Sequence, residues 1–212
     1  TLGNQKKVNY ALQNLTKAAF ITELTTGILP APQYFPKNVM LNKTGYDNVE
    51  TVISTGTTAL TPEQFEQLAN AEQALVLDVR KQEEFAKAHI PNSIFIGING
   101  QFAPWVGALI VDIKQPILLV CPSGQEEEAV LRLSRVGYDN CLGFLQGGID
   151  AWEKAGKQTD SIKSISAEEF VNIYNTKEIT TLDVRKPGEY QAQHLSKATH
   201  KALDYINDWT TE

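Results

Sequence analysis

Between residues 59 and 158 the chain alternates short apolar runs with stretches of helical period. "ALVLDV", "SIFIGI", "PILLVC" and "NCLGFL" are too short for buried helices and are rich in β-formers, so each predicts a strand. Pro116 is confined to the first position of its run, where no ladder bond is lost. Between these runs, Thr61 and Pro62 form a start signal for a helix reaching about Ala69. Lys81 to Ala88 and Gln101 to Leu109 also read as helices. Glu126 to Val136 places Ala129, Val130, Leu133 and Val136 on one face, and Gly137 stops it. Gly147-Gly148 leads into a last helix over 149–155. Strands that alternate with helices predict an α/β fold: a mostly parallel sheet flanked by helices on both faces.

The pattern on either side differs. Asn4 to Glu23 reads as one amphipathic helix burying Val8, Leu12, Leu15, Ala19 and Ile21. "GILPAPQYFPKNVMLNKTGYDN" has no period and reads as ordered coil or a docking segment. After residue 158 the strand-and-helix pattern returns as a repeat. Leu77-Asp78-Val79-Arg80-Lys81 becomes Leu182-Asp183-Val184-Arg185-Lys186, Glu84-Phe85 becomes Glu189-Tyr190, and His89 becomes His194. "LTPEQF" becomes "ISAEEF" at the same offset of 105 residues. A repeat of this length is a domain rather than a solenoid unit. The expected organisation is 1–58, 59–158 and 159–212, the last being the front half of a second copy.

Composition narrows the function classes. The chain has 212 residues, a net charge of −6 and a pI of about 5.2. An acidic chain without a Lys/Arg cluster argues against nucleic acid and membrane surfaces as partners. No apolar stretch approaches the roughly 20 residues of a membrane span. No signal peptide is visible, and "TLGNQKK" begins without methionine, so a processed product or a fragment is expected. Two cysteines, Cys121 and Cys141, do not make a disulfide scaffold, and a cytoplasmic location is the default expectation. His89, His194 and His200 fall in no metal-binding spacing, so no cofactor is expected in this chain.

The repeat unit resembles the rhodanese homology domain, on Leu77-Asp78-Val79-Arg80, Glu84-Phe85, His89-Ile90-Pro91 and "GYDNCLGFLQGGIDAWEKAG" from Gly137 to Gly156. Residues 1–45 look like the C-terminal end of a metallo-β-lactamase-fold domain, of the persulfide dioxygenase type that is fused to rhodanese domains. That resemblance implies a bacterial parent fusion protein. Its iron would belong to the dioxygenase domain, outside this chain, and that domain would be a partner.

The rhodanese resemblance implies a cysteine thiolate that takes up a sulfane sulfur and passes it to an acceptor. Such an anion needs backbone N–H groups, a helix N-terminus and often an arginine around it. Cys121 follows its strand at the nucleophile's place. Pro122, Ser123, Gly124, Gln125 and Glu126 form the substrate loop, with Gly124 fitting a Cys-x-x-Gly-x-Arg pattern. Glu126 stands where the arginine belongs, and Glu127 and Glu128 follow. Carboxylates there raise a thiol's pKa and repel an anionic donor.

A structural account uses the same letters. Ser123 and Glu126 fit a capping box, and Cys121 is then a small buried residue. Asp78 with Arg80 is read as an ion pair shaping a loop, and His89 as a structural histidine. Cys141 and Trp152 are read as core, and so is Trp105, with partner contact as its second reading. The expectation is a rhodanese-like module weak or inactive as a transferase. The alternative is an active sulfurtransferase carrying a persulfide on Cys121, with a small sulfane-sulfur donor and a thiol acceptor as partners. A Cys-x5-Arg phosphatase loop fails, because Glu127 occupies the arginine place. The half-copy is expected either to fold poorly or to pair with another molecule, as in a homo-oligomer, to hide its sheet edge.

Overall fold

The computed structural model describes residues 1–26, 34–45 and 48–210. The chain divides into two compact units, residues 1–31 and 32–212. The expected 1–58 segment is therefore shared between them.

In the first unit the single helix expected over 4–23 is two helices, α1 (Leu2–Val8) and α2 (Lys17–Thr25), with a 3-10 turn at Tyr10–Leu12 between them. Cap formers make the break. Asn9 is extended and its side chain accepts the Ala11 N–H, and Thr16 Oγ1 accepts the Ala19 N–H. None of these elements buries a residue.

The second unit opens with α3 (Tyr34–Thr44), in part of the segment expected to be coil. Pro36 stands in its first turn, where a missing N–H is tolerated. Residues 27–33 and 46–47 of that segment lie outside the described residues. α4 (Val49–Gly56) is capped by Asn48. Then come β1 (Ala59–Leu60), α5 (Pro62–Ala71), β2 (Leu75–Asp78), α6 (Gln82–Lys87), β3 (Ile94–Phe95) and α7 (Phe102–Leu109). β4 (Ile117–Val120), α8 (Glu126–Ser134), β5 (Cys141–Leu145) and α9 (Gly148–Lys154) complete the first copy of the repeat.

The fold is α/β. The five strands run parallel in the order β1-β5-β4-β2-β3. Side-chain alternation sorts them onto two faces. Leu77, Val79, Ile117 and Leu119 pack with α4, α7 and α8 through Val52, Val106, Val130 and Leu133. Val76, Leu118, Val120 and Leu145 pack with α5 and α9 through Phe65 and Trp152. The approach of α4 is close: a Cβ on Gly56 would lie 2.7 Å from Val130, so only glycine fits.

The second copy holds α10 (Ala167–Thr176), β6 (Thr181–Asp183), α11 (Pro187–Ala192), β7 (Ala198–His200) and α12 (Ile206–Trp209). Its two strands pair in parallel as a separate sheet. No helix among the described residues is long and apolar enough to cross a membrane.

Candidate functional site

In an open parallel sheet, ligands bind beyond the carboxyl ends of the strands where the strand order reverses. Here the reversal falls between β2 and β4, since β3 lies on one side of β2 and β4 on the other. The chain leaves β2 at Asp78 and β4 at Val120, which are register partners, and the Val79 N–H is bonded to Val120 O. Val79 and Cys121 therefore leave the two strands at the switch point, and Arg80 follows one residue further on.

Cys121 is 8% exposed and packs in the same cluster as Ile117 and Leu119. Parity explains this: 117, 119 and 121 share the face covered by α4, α7 and α8. Burial pushes the Cys121 thiol far above the ordinary thiol range, and the charges of Cys141, Glu126 and Asp78 add to the rise. Cys141 is likewise pushed up to about 12, first by burial. Both thiols are free.

The loop departs from the capping box expected at Ser123. Helix α8 begins at Glu126, with Gln125 as its cap residue and no side-chain cap hydrogen bond. Gly124 has φ +82°, which places its N–H toward the helix start, and that N–H donates to Glu126 Oε1 at 3.1 Å. The Gln125 N–H donates to Pro122 O. Ser123 is exposed, Pro122 and Gln125 are half-buried, and Gln125 Oε1 is a buried acceptor without a donor. One loop N–H that would face an anion is thus taken by the chain's own carboxylate.

The three glutamates part company. Glu126 turns into the loop, Glu127 is exposed, and Glu128 pairs with Arg132 at 2.6 Å. Arg132 also donates to Ile98 O at 2.6 Å, tying α8 to the segment after β3. Arg132 was not among the residues singled out from sequence, although its i,i+4 spacing from Glu128 is a legible signal.

Asp78 is fully buried and accepts hydrogen bonds from three donors of Arg80, its backbone N–H, Nε and Nη2, with Nε reaching both carboxylate oxygens. Arg80 Nη2 also donates to Ala88 O at 2.8 Å. The guanidinium is committed to closing the β2–α6 loop rather than to Cys121. His89 is buried, stacks on Phe85 at 4.1 Å, and has Nδ1 2.9 Å from Phe85 O. Its backbone exchanges hydrogen bonds with Asp160, so it fastens the linker after α9.

A cleft of about 500 Å³ lined by Arg80, Lys81, Phe95, Gln101 and Trp105 opens at this end of the sheet, but Cys121 does not line it. A larger one, about 730 Å³, lies at the opposite end of β2 against Leu75 and Gln115. Among the described residues no three His, Cys, Asp or Glu side chains are grouped to hold a metal ion.

Comparison with known proteins agrees with this architecture. Residues 61–155 match the family model of the rhodanese-like domain. The thiosulfate sulfurtransferase GlpE of Actinobacillus succinogenes is 28% identical over 100 residues, 47% of this chain and 86% of that protein. The adenylyltransferase and sulfurtransferase uba4 of Ogataea parapolymorpha is 32% identical over 90 residues, 42% of this chain; the chain spans only 22% of that protein. A crystal structure of a metallo-beta-lactamase from Staphylococcus aureus superposes with a TM-score of 0.55 at 24% identity, over 69% of this chain and 40% of that one. Residues 61–155 are therefore similar to the rhodanese-like domain, in a fold shared with part of that larger protein.

Proposed function

We propose that this domain is a rhodanese-like module of a sulfur-metabolism fusion protein and is itself weak or inactive as a transferase. The observation that carries the reading is the setting of Cys121: a buried thiol raised far above its ordinary range, beside a loop whose Gly124 N–H is held by Glu126. In this reading residues 1–58 are the remnant of a metallo-β-lactamase-fold domain, and residues 159–212 are the front half of a second rhodanese-like domain. Support comes from the likeness to the Staphylococcus aureus structure and from the repeat. Iron chemistry would reside in the dioxygenase domain, which is the module's partner.

The second reading is an active sulfurtransferase. It is favoured by the position of Cys121 at the switch point, directly after β4. The Cys121 thiolate would attack the outer sulfur of thiosulfate, sulfite would leave, and a Cys121 persulfide would remain. An acceptor thiolate would then take the terminal sulfur and return the Cys121 thiolate.

Thiosulfate and persulfide transfer, measured on this chain and on Cys121→Ser, with mass spectrometry for a bound sulfur atom, separates the two. The first reading expects no turnover and no adduct. Turnover and an adduct that both vanish in Cys121→Ser would overturn it.

A further inference from the structure

Strand β6 uses one side of its ladder and leaves the other empty. It pairs with β7, and among the described residues no strand lies on its other side. The first copy of the repeat shows what that side can hold. There β2 faces β4 from Leu75 to Asp78, and the Val79 N–H donates to Val120 O. The counterparts of the buried Leu77 and Val79 are Leu182 and Val184, which are 48% and 44% exposed. An open edge that carries apolar side chains is a template for another strand.

The hydrogen-bonding direction of that edge follows from the ladder already made. Asp183 O accepts from the Lys201 N–H, so Asp183 turns its main chain toward β7. Alternation turns the N–H and C=O of Leu182 toward the open edge. A two-fold axis beside Leu182, perpendicular to the sheet, sets β6 antiparallel to the β6 of a second molecule. Leu182 of each molecule then exchanges both main-chain bonds with the other, and Leu182 and Val184 of the two molecules share one face. Glu178 of each molecule falls opposite Lys186 of the other. Both side chains are exposed, and neither belongs to an ion pair among the described residues. Other registers are penalised: centring on Thr181 sets Arg185 against Lys177, and centring on Asp183 sets two carboxylates face to face.

We propose that the open edge of β6 is a self-association surface, on which a second molecule of this chain adds its own β6 antiparallel and centred on Leu182. The occupant is a second molecule because this edge is complementary to itself in charge as well as in main-chain pattern. Self-association of this kind depends on the repeat and the exposed strand, not on the reactivity of Cys121. The contact is one strand wide, so it is weak, with a dissociation constant of roughly 0.1–1 mM. At micromolar concentration the chain is a monomer with Leu182 exposed.

Sedimentation equilibrium of the full chain, from about 10 μM to about 2 mM, reads the association. The mass is expected to rise from 23.5 kDa toward twice that value. Leu182→Lys sets two like charges together at the centre of the pairing and is expected to abolish the rise. The position is exposed, so the ¹H–¹⁵N spectrum should stay folded. Glu178→Lys and Lys186→Glu each set like charges against each other twice and are expected to weaken association about tenfold. Mixed in equal amounts, these two variants regain opposite charges in both pairs and are expected to associate more strongly than either alone, approaching the unmodified chain. The proposal is overturned if the mass stays at 23.5 kDa throughout, if Leu182→Lys associates undiminished, or if the mixture associates no better than either variant alone.

Discussion

Residues 75–95 and 180–200 carry the same local design in two different settings. Asp78 and Asp183 each clamp the arginine two residues on, at 2.6 Å in both cases. Arg80 and Arg185 each reach a carbonyl eight residues later, Ala88 O and Gln193 O, both at 2.8 Å. His89 stacks on Phe85 and His194 on Tyr190, each with Nδ1 near the carbonyl four residues back. Even strand register is kept: Leu77 faces Ile94, and Leu182 faces Thr199, at the same offset. What differs is cover. Leu77 and Val79 are fully buried under a five-stranded sheet and its helices, whereas Leu182 and Val184 are 48% and 44% exposed on a two-stranded one. Short-range hydrogen bonding therefore sets the loop geometry in both copies, and long-range strand partners decide whether the same letters become a core.

The largest effect should come from the aspartates. Asp78→Ala leaves the Arg80 guanidinium, only 12% exposed, without its partner, and is expected to cost about 3–5 kcal/mol in denaturant unfolding. Asp183→Ala uncovers an arginine already 47% exposed and should move the midpoint far less. Equal losses at the two sites would break the view that cover, rather than loop geometry, separates the copies.

The leucines come next. Leu77→Ala should cost about 2–5 kcal/mol, because it opens a cavity in a fully buried cluster. Leu182→Ala should stay within about 0.5 kcal/mol. A large loss at Leu182 would mean that β6 is covered in solution, and sedimentation of the chain would show whether another molecule covers it.

Helix caps should make the copies alike. Thr61 and Ser166 both close capping boxes, with Gln64 and Glu169. A cap acts within one turn and does not depend on the sheet, so Thr61→Ala and Ser166→Ala should each cost about 1 kcal/mol. Hydrogen exchange of the first turn of α5 and of α10 reads each separately.

The contrast explains what could be read from sequence. Apolar runs and helical periods over 59–158 anticipated β2, β4, β5, α8 and α9, because in a doubly covered sheet every strand position is apolar and each helix buries one stripe. Cap residues beyond that region misled: Asn9 and Thr16 split the expected first helix, and α3 formed where Pro and Asn suggested coil. β1 has only two residues, too few for any period to register. At the candidate site, the depth of Cys121 was legible in parity, since it continues the buried odd positions of β4. The i,i+4 spacing of Glu128 and Arg132 was also legible, but the use of the Gly124 N–H by Glu126 and of Ile98 O by Arg132 rests on backbone turns that composition does not encode.

The smallest and most local effect concerns Asp183. The hydrogen bond from the Arg185 side chain, aided by the Arg185 backbone N–H and charge, lowers its carboxyl pKa to about 2. A carboxyl whose folded pKa lies below its unfolded value of about 3.9 stabilises the fold above that pH and loses the contribution as pH falls through about 2. The second copy's clamp should therefore hold at pH 4 and release only in stronger acid. Carboxyl ¹³C titration of Asp183 checks this, with Arg185→Ala expected to restore an ordinary midpoint near 4. A midpoint near 4 in the unmodified chain would show that the exposed clamp is open in solution. The likeness of the two copies would then end at the loop itself, and the buried setting of Asp78 would be needed to form the clamp as well as to cover it.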